Sequence, residues 1–455
     1  MGLCCARPVL FGGWQGAATR PRRAPHGQQP PAGRRRGGAG SPVRKEGGAV
    51  PADSSEDWQE AALKAAPAPA GARGSWGEPG RARGLGALAL LALVAHGPMS
   101  RTDLGERLGL SPPTTTRTVR PLLEAGLVEE HPTQGCNGPG RPTRLLALAP
   151  ACATFLGVKL TADRLYAVLT DPQGAVLAQD SLPLGATDAT SVVALIASAV
   201  TRLASQRPAP PEAIGISLGG SVVDRSTVAR AAFLGWREVP LAARVEAATG
   251  IPCTVANDVR AFAHAEAWFG AGRDKDPFAL LTLGEGIGCG IVVGGQVVSG
   301  ARGAAGSVGH LPVAAEGPRC ELGHAGCARA LASTPGIAAA LASVLGREVG
   351  LEQALGPELG QDPQVRGVLE RAARAAGVLV GTLIAFIEPE LTVVSGEAVG
   401  VIEAHRAAFD EEISRLRHWQ AHPAPVRLRP FEFDEWARGA AALAVESWAE
   451  SVGGR

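Results

Sequence analysis

Apolar residues are sparse and unpatterned over the first 84 positions and become periodic at Leu85. The leading stretch is rich in Gly, Pro, Ala and Arg, with runs such as Arg34-Arg35-Arg36. Such a segment buries too little apolar surface to offset chain entropy, so residues 1–84 are expected to form a disordered tail. Leu85, Leu88, Leu91 and Val94 then recur at helical spacing, and the run stops at Gly97-Pro98. Ser100 reads as an N-cap with Asp103 three residues on, opening a second short helix that ends at Gly109. Ser111 is placed to cap a third helix, with Pro112 at its favoured first position and Leu122, Leu123 and Leu127 as its inner face. Pro121 falls inside that helix, where it removes a backbone bond and crowds the preceding turn; the helix either kinks there or ends early. Residues 128–148 read as a two-stranded wing around a turn at 135–141. Two helices joined through Gly109 and followed by a wing predict a winged helix-turn-helix over residues 85–149.

Beyond Ala149 the pattern is first β-rich, then alternates strand with helix. Residues 155–170 alternate like a hairpin, with Asp171-Pro172-Gln173-Gly174 as a turn. Short apolar runs at 214–218, 253–256, 278–283 and 391–394 have strand length, and helical stretches such as 241–249 and 368–386 separate them. That alternation implies an α/β fold for residues 150–455. Glycine-centred turns follow two of the strands, at Gly219-Gly220 and at Gly284-Glu285-Gly286-Ile287-Gly288. Together they suggest a ligand cleft between two halves.

Composition narrows the functional classes. A chain of 455 residues, 45% hydrophobic, is long enough for two or three domains with a large core. Its net charge of +1 excludes a uniformly basic nucleic-acid coat, so any DNA contact must be local. The eight scattered cysteines give no disulfide framework and fit the reducing cytoplasm. The longest apolar run, 85–95, is too short to span a bilayer, and no membrane partner is expected. The opening Met1-Gly2-Leu3-Cys4-Cys5 invites a lipidation reading, but Ala6 stands where Ser or Thr is wanted; coincidence or a misplaced start codon explains it better.

A recognition helix offers short polar and basic side chains to base edges near its N-terminus. Ser111, Thr114, Thr115, Arg117 and Arg120 are the candidates here, with double-stranded operator DNA as partner. The basic part of the tail would touch phosphates without sequence preference.

Several segments of the chain resemble the ROK family, whose members are repressors and sugar kinases. They are Trp236-Arg237-Glu238-Val239-Pro240-Leu241, Cys253-Thr254-Val255-Ala256-Asn257-Asp258, Gly270-Ala271-Gly272, Gly306-Ser307-Val308-Gly309-His310 and the run from Cys320 to Cys327. The resemblance runs from about Leu85 to the C-terminus. It implies a winged helix-turn-helix followed by a two-lobed actin-like, ribonuclease H-like domain of sugar-kinase type over 150–455. It also implies that Arg141, in Gly138-Pro139-Gly140-Arg141-Pro142, acts as a minor-groove hook; a plain phosphate contact or a solvated turn is the alternative.

Against the family pattern the kinase half has decayed. The first phosphate loop, Asp-Ile-Gly-Gly-Thr in the family, aligns with Lys159-Leu160-Thr161-Ala162-Asp163. The second keeps its glycines but carries Glu285 where a hydroxyl belongs, and the third reads Ser395-Gly396-Glu397. Carboxylates at these places oppose a triphosphate. The resemblance carries over Asn257 and Asp258 as sugar-hydroxyl binder and vestigial base, and His310 as a residue touching substrate or metal. Ser307 and Arg329 stand where two sugar-gripping glutamates belong. Asp258 also reads as a strand-end turn residue, and His310 as a core histidine. Because Arg329 reverses a charge, an acidic or phosphorylated sugar is the expected effector; pairing of Arg329 with Glu285 or Glu321 is the alternative.

The family commonly holds a structural zinc with one histidine and three cysteines in a Cys-x-Cys-Gly-x-x-Gly-Cys run. Here Leu322 replaces the middle cysteine, leaving His310, Cys320 and Cys327, with His324 within reach of the vacancy. Loss of the site, with Cys320 and Cys327 as ordinary thiols, is the other reading.

The resemblance therefore implies a regulator, by family default a repressor of carbohydrate-related genes, controlled by a sugar-like effector. It is expected to be cytoplasmic, a dimer or tetramer matching paired half-sites, and not an enzyme. The alternative is a sugar kinase with an appended DNA reader.

Overall fold

The computed structural model describes residues 83–132, 144–149, 152–205, 209–300, 303–418, 422–430 and 432–453. Nearly all of the segment expected to be a tail, 1–82, therefore lies outside the described residues, as do the wing turn and Arg141.

The N-terminal part holds helices α1 (Leu85–His96), α2 (Arg101–Leu108) and α3 (Pro112–Glu124) and strands β1 (Met99–Ser100), β2 (Val128–Pro132) and β3 (Arg144–Leu148). The capping box opening α2 is complete: the Asp103 backbone N–H donates to Ser100 Oγ at 3.1 Å and the Ser100 N–H to Asp103 Oδ2 at 3.2 Å. Gly109 ends α2 in the left-handed conformation that glycine tolerates. Four expectations change. The wing sheet gains a third strand, because β1 pairs with β3. The α3 helix runs through Pro121 to Glu124 and does not end early. Ser111 sits at the N-cap without capping the backbone; its hydroxyl bonds Thr114 Oγ1 at 2.9 Å. Finally, α1 has no single inner stripe: residues 89–94 are all buried, and Leu85 is 41% exposed.

The remainder contains two sheets built alike. The first comprises β4 (Phe155–Leu160), β5 (Arg164–Thr170), β6 (Val176–Pro183), β7 (Ala213–Leu218) and β11 (Cys253–Asn257). Its strand order is β11-β7-β4-β5-β6, with β4–β5 and β5–β6 antiparallel and β4–β7 and β7–β11 parallel. Between them lie a small antiparallel sheet of β8 (Ser221–Val223), β9 (Thr227–Ala231) and β10 (Trp236–Val239), and helices α4 (Ala189–Ala204) and α5 (Leu241–Thr249).

Helix α6 (Asp258–Phe269) leads into the second sheet: β12 (Phe278–Leu283), β13 (Ile287–Val293), β14 (Gln296–Val297), β15 (Leu391–Ser395) and β16 (Val426–Leu428). Its order, β14-β13-β12-β15-β16, and its strand directions repeat the first sheet. Helices α7 (Ala328–Ala332), α8 (Thr334–Leu345), α9 (Leu351–Leu355), α10 (Pro363–Ile387), α11 (Val399–Ala404) and α12 (Arg406–Leu416) cover this lobe. The last helix, α13 (Phe433–Gly453), returns across the first sheet. Glycines permit its close approach: a Cβ on Gly157 of β4 would stand 2.0 Å from the Ala437 carbonyl oxygen, and one on Gly215 of β7 1.8 Å from that of Ala440.

Candidate functional site

On α3, Ser111, Thr116, Arg117 and Arg120 are exposed along the outer face, and Thr114 is half-buried. Arg120 is tied to Glu124 at 2.7 Å, one helical turn on. Thr115 does not belong to this face. It is 1% exposed, its hydroxyl donates to the Ser111 carbonyl at 3.1 Å, and a Cβ on Gly105 of α2 would meet its Oγ1 at 2.8 Å. A threonine wedged between two helices holds them together and is out of reach of a DNA groove. Glu130 pins the wing to α2, accepting from Arg101 at 2.7 Å and Arg144 at 2.9 Å. The Arg101 guanidinium, helped by Arg144, holds the Glu130 carboxyl below its ordinary range.

In the cleft, Asn257 and Asp258 come where β11 passes into α6, and both are engaged within the chain. The Asn257 amide oxygen caps α6, accepting from the Val259 N–H at 3.0 Å and the Arg260 N–H at 3.3 Å, while its nitrogen donates to the Gly220 carbonyl at 3.0 Å. Asp258 Oδ2 is paired with the Lys159 ammonium. The two side chains are 13% and 7% exposed, and Lys159 Nζ lies 5.0 Å from the centre of the Trp436 ring. Sequence reasoning treated Lys159 only as a loss from a phosphate loop; the fold brings it across 99 positions onto the carboxylate of the candidate base. The rest of that loop is a tight turn, with Thr161 Oγ1 donating to Asp163 Oδ1 at 2.9 Å. Phe233, also missed, is an exposed aromatic beside Gly219: a Cβ there would lie 3.6 Å from its ring and 3.6 Å from Asp258 Oδ2.

Glu285 lies in the turn between β12 and β13, and Ser307 is exposed in the loop before His310. Arg329 donates to the Glu285 carbonyl at 2.7 Å and is paired with the Glu321 carboxylate. Its charge is thus already balanced, which removes the reason for expecting an acidic or phosphorylated effector.

The loop from His310 to Cys327 gathers metal-binding atoms. His310, Cys320 and His324 each offer a ligand atom within 4.8 Å of the others. His310 Nδ1 is 3.6 Å from Cys320 Sγ, and the two imidazole centres are 5.0 Å apart. Cys327 is buried and packs with Cys320 in a small cluster, but its thiol is not among the three ligand atoms that gather. Leu322 is 64% exposed and takes no part. Two imidazoles with a thiol, and a second thiol alongside, are a donor set that fits a tetrahedral zinc site.

A small helix-turn-helix reader thus stands on a body of two repeated five-stranded lobes, the actin-like architecture of sugar kinases. The chain belongs to the ROK family, whose model matches residues 155–447, and a MarR family model matches residues 87–135. It is similar to the xylose repressor of Bacillus subtilis (strain 168), 25% identical over 54% of this chain and 65% of that protein. The chain spans less than two thirds of the length of this and other curated relatives, among them the DNA-binding transcriptional repressor Mlc and the dual regulator NagC of Escherichia coli (strain K12). Among solved structures, a ROK family transcriptional regulator, homolog of E. coli MLC protein, matches 81% of this chain and 96% of its own (25% identity, TM-score 0.69). A ROK family glucokinase from Streptomyces griseus, in complex with glucose and AMPPNP, matches 64% of this chain and 99% of its own (28% identity, TM-score 0.54). The fold therefore hosts both regulators and kinases.

Proposed function

We propose that this chain is a DNA-binding transcriptional regulator, a repressor of carbohydrate-related genes whose operator binding a sugar-like effector controls, and that it has no kinase activity. The observation that carries this reading is the Lys159–Asp258 pair beneath an intact reader. The Lys159 ammonium occupies the carboxylate oxygen that a sugar hydroxyl would have to reach for its proton to be removed in phosphoryl transfer. Kinase-like relatives share the body, so the sugar-kinase reading rests on Asp258 alone, and Lys159 occupies it. The domains are taken as 1–84 tail, 85–149 reader and 150–455 effector body.

Ser111, Thr114, Arg117 and Arg120 would meet the major groove and Arg141 the minor groove or a phosphate. Asn257, Asp258, Ser307, His310 and Arg329 would border the effector. His310, Cys320, His324 and Cys327 would hold a structural zinc, whose role is to fix the loop. The protein would act in the cytoplasm as a dimer or tetramer on paired half-sites. No helix among the described residues is long and apolar enough to cross a membrane.

The test is selection of DNA sites from a random pool by the full chain, followed by anisotropy titration at fixed salt. Arg117→Ala and Arg141→Ala should each weaken binding by about 1–3 kcal/mol if they read bases. Unchanged affinity in both would reject this surface. Failure to recover any preferred site would reject the function.

A further inference from the structure

Two turns and the start of a helix meet at one carboxylate in the second lobe. The turn after β12 carries Gly284-Glu285-Gly286, α8 begins at Thr334, and the turn after β15 carries Ser395-Gly396-Glu397. Gly396 has φ +113°, and a Cβ there would stand 2.2 Å from the Leu283 carbonyl oxygen, so only glycine lets these two turns come this close. The Ala398 N–H donates to that same oxygen at 2.9 Å, locking the approach. Glu397 is thereby laid over the glycine turn. Its Oε2 accepts from the Glu285 N–H at 3.1 Å and from Thr334 Oγ1 at 3.2 Å, and a Cβ on Gly284 would lie 3.1 Å from it.

A backbone N–H in a glycine turn, joined by a hydroxyl, is the donor arrangement that receives a phosphate oxygen. A charged acceptor makes bonds about twice as strong as a neutral one. We infer that Glu397 is an internal anion that fills this phosphate cradle, so that the cleft excludes nucleotides and phosphorylated ligands and admits only uncharged ones. The inference rests on the reading of this cleft as the effector site. It agrees with the other charges on hand: the Lys159 ammonium is taken by Asp258 and the Arg329 guanidinium by Glu321.

The experiment titrates the full chain with AMPPNP and magnesium, and separately with tripolyphosphate, by calorimetry and thermal shift. Wild type should show neither heat nor stabilisation. Glu397→Ala removes the internal anion, and Glu285→Thr/Glu397→Ala also removes the remaining carboxylate of the turn. Both positions are exposed, so folding is expected to survive. At least one variant should bind the probes about tenfold tighter than wild type or better. No gain in either variant, or wild-type binding equal to theirs, would overturn the inference. Binding of the selected DNA, measured on the same proteins, should match wild type. A gain in nucleotide affinity without DNA binding in any of the proteins would instead remove the regulatory reading and leave the cradle assignment standing.

Discussion

His324 stands two positions past Leu322, and its imidazole reaches what the leucine cannot. Gly323 and Gly326, both at positive φ, turn the chain so that His324 faces His310 and Cys320 while Leu322 points to solvent. A tetrahedral site with two imidazoles and two thiolates is as complete as one with a single histidine and three cysteines. The purified protein should carry close to one zinc per chain, and His324→Ala should release it and lower the unfolding temperature. Metal analysis finding no zinc in protein prepared without chelator would end the assignment. That His324 comes within reach of His310 and Cys320 was legible in the sequence because it stands two positions from the vacancy. The pairing of Lys159 with Asp258 was not, because 99 residues separate them and only the parallel pairing of β4, β7 and β11 brings them together. Thr115 misled for a related reason: its type suits a DNA contact, but its azimuth on α3, facing Gly105, was not fixed by residue type.

At the scale of elements, what the sequence made plain was local. Capping box, wing strands and short apolar strands follow from residues within one turn or one hairpin of each other. Tertiary context decided the rest. The α1 helix is apolar all round over residues 89–94 because that stretch is covered by the reader and by α13; near its start a Cβ on Gly86 would meet the Gly453 carbonyl at 2.7 Å. The α13 helix serves both as roof of the first sheet and as seat of the reader. Its seating depends on Gly215, where a methyl group would fall 1.8 Å from a backbone oxygen. Backbone cannot rotate aside as a side chain does, so Gly215→Ala must lift the helix or bend the strand. Overpacking of this kind costs about 1–3 kcal/mol or more. Chemical denaturation of Gly215→Ala should show at least that loss, whereas Gly185→Ala, which meets nothing within 4 Å, should be near wild type. Equal stability of the two variants would show that the sheet and helix are not closely packed.

Across the whole described molecule, reader and body share the seam made by α1, and both ends of that helix are pinned by charge. Just before its start, Arg83 pairs with Glu446 and, at 2.9 Å, with Glu450 of α13. Glu446 also meets Arg225 at 2.9 Å and His264 of α6 at 3.4 Å. Burial opposes its ionisation, yet these partners hold its carboxyl well below the ordinary range. At the far end, His96 Nδ1 is 3.0 Å from Asp274 of the body and its Nε2 is 3.0 Å from Arg107 of α2. Arg107 can only donate, so Nε2 must be the bare nitrogen and Nδ1 must carry the proton toward Asp274. Burial first, then Arg107 and Arg273, lower the His96 pKa from 6.5, against the pull of Asp274. The folded chain therefore favours the neutral ring, and the unfolded chain takes up the proton first. The contribution of His96 is complete above 6.5 and is lost as pH falls from there through the lower folded value. Asp274 is mostly exposed, which limits the contribution to about 1 kcal/mol or less. The difference in unfolding free energy between wild type and His96→Ala should accordingly be largest near about pH 7.5 and shrink by about pH 5.5. Over the same interval, cleavage by a protease between reader and body should rise in wild type and stay level in the variant. A stability difference that holds constant from one end of the interval to the other would mean that the ring does not titrate at this seam.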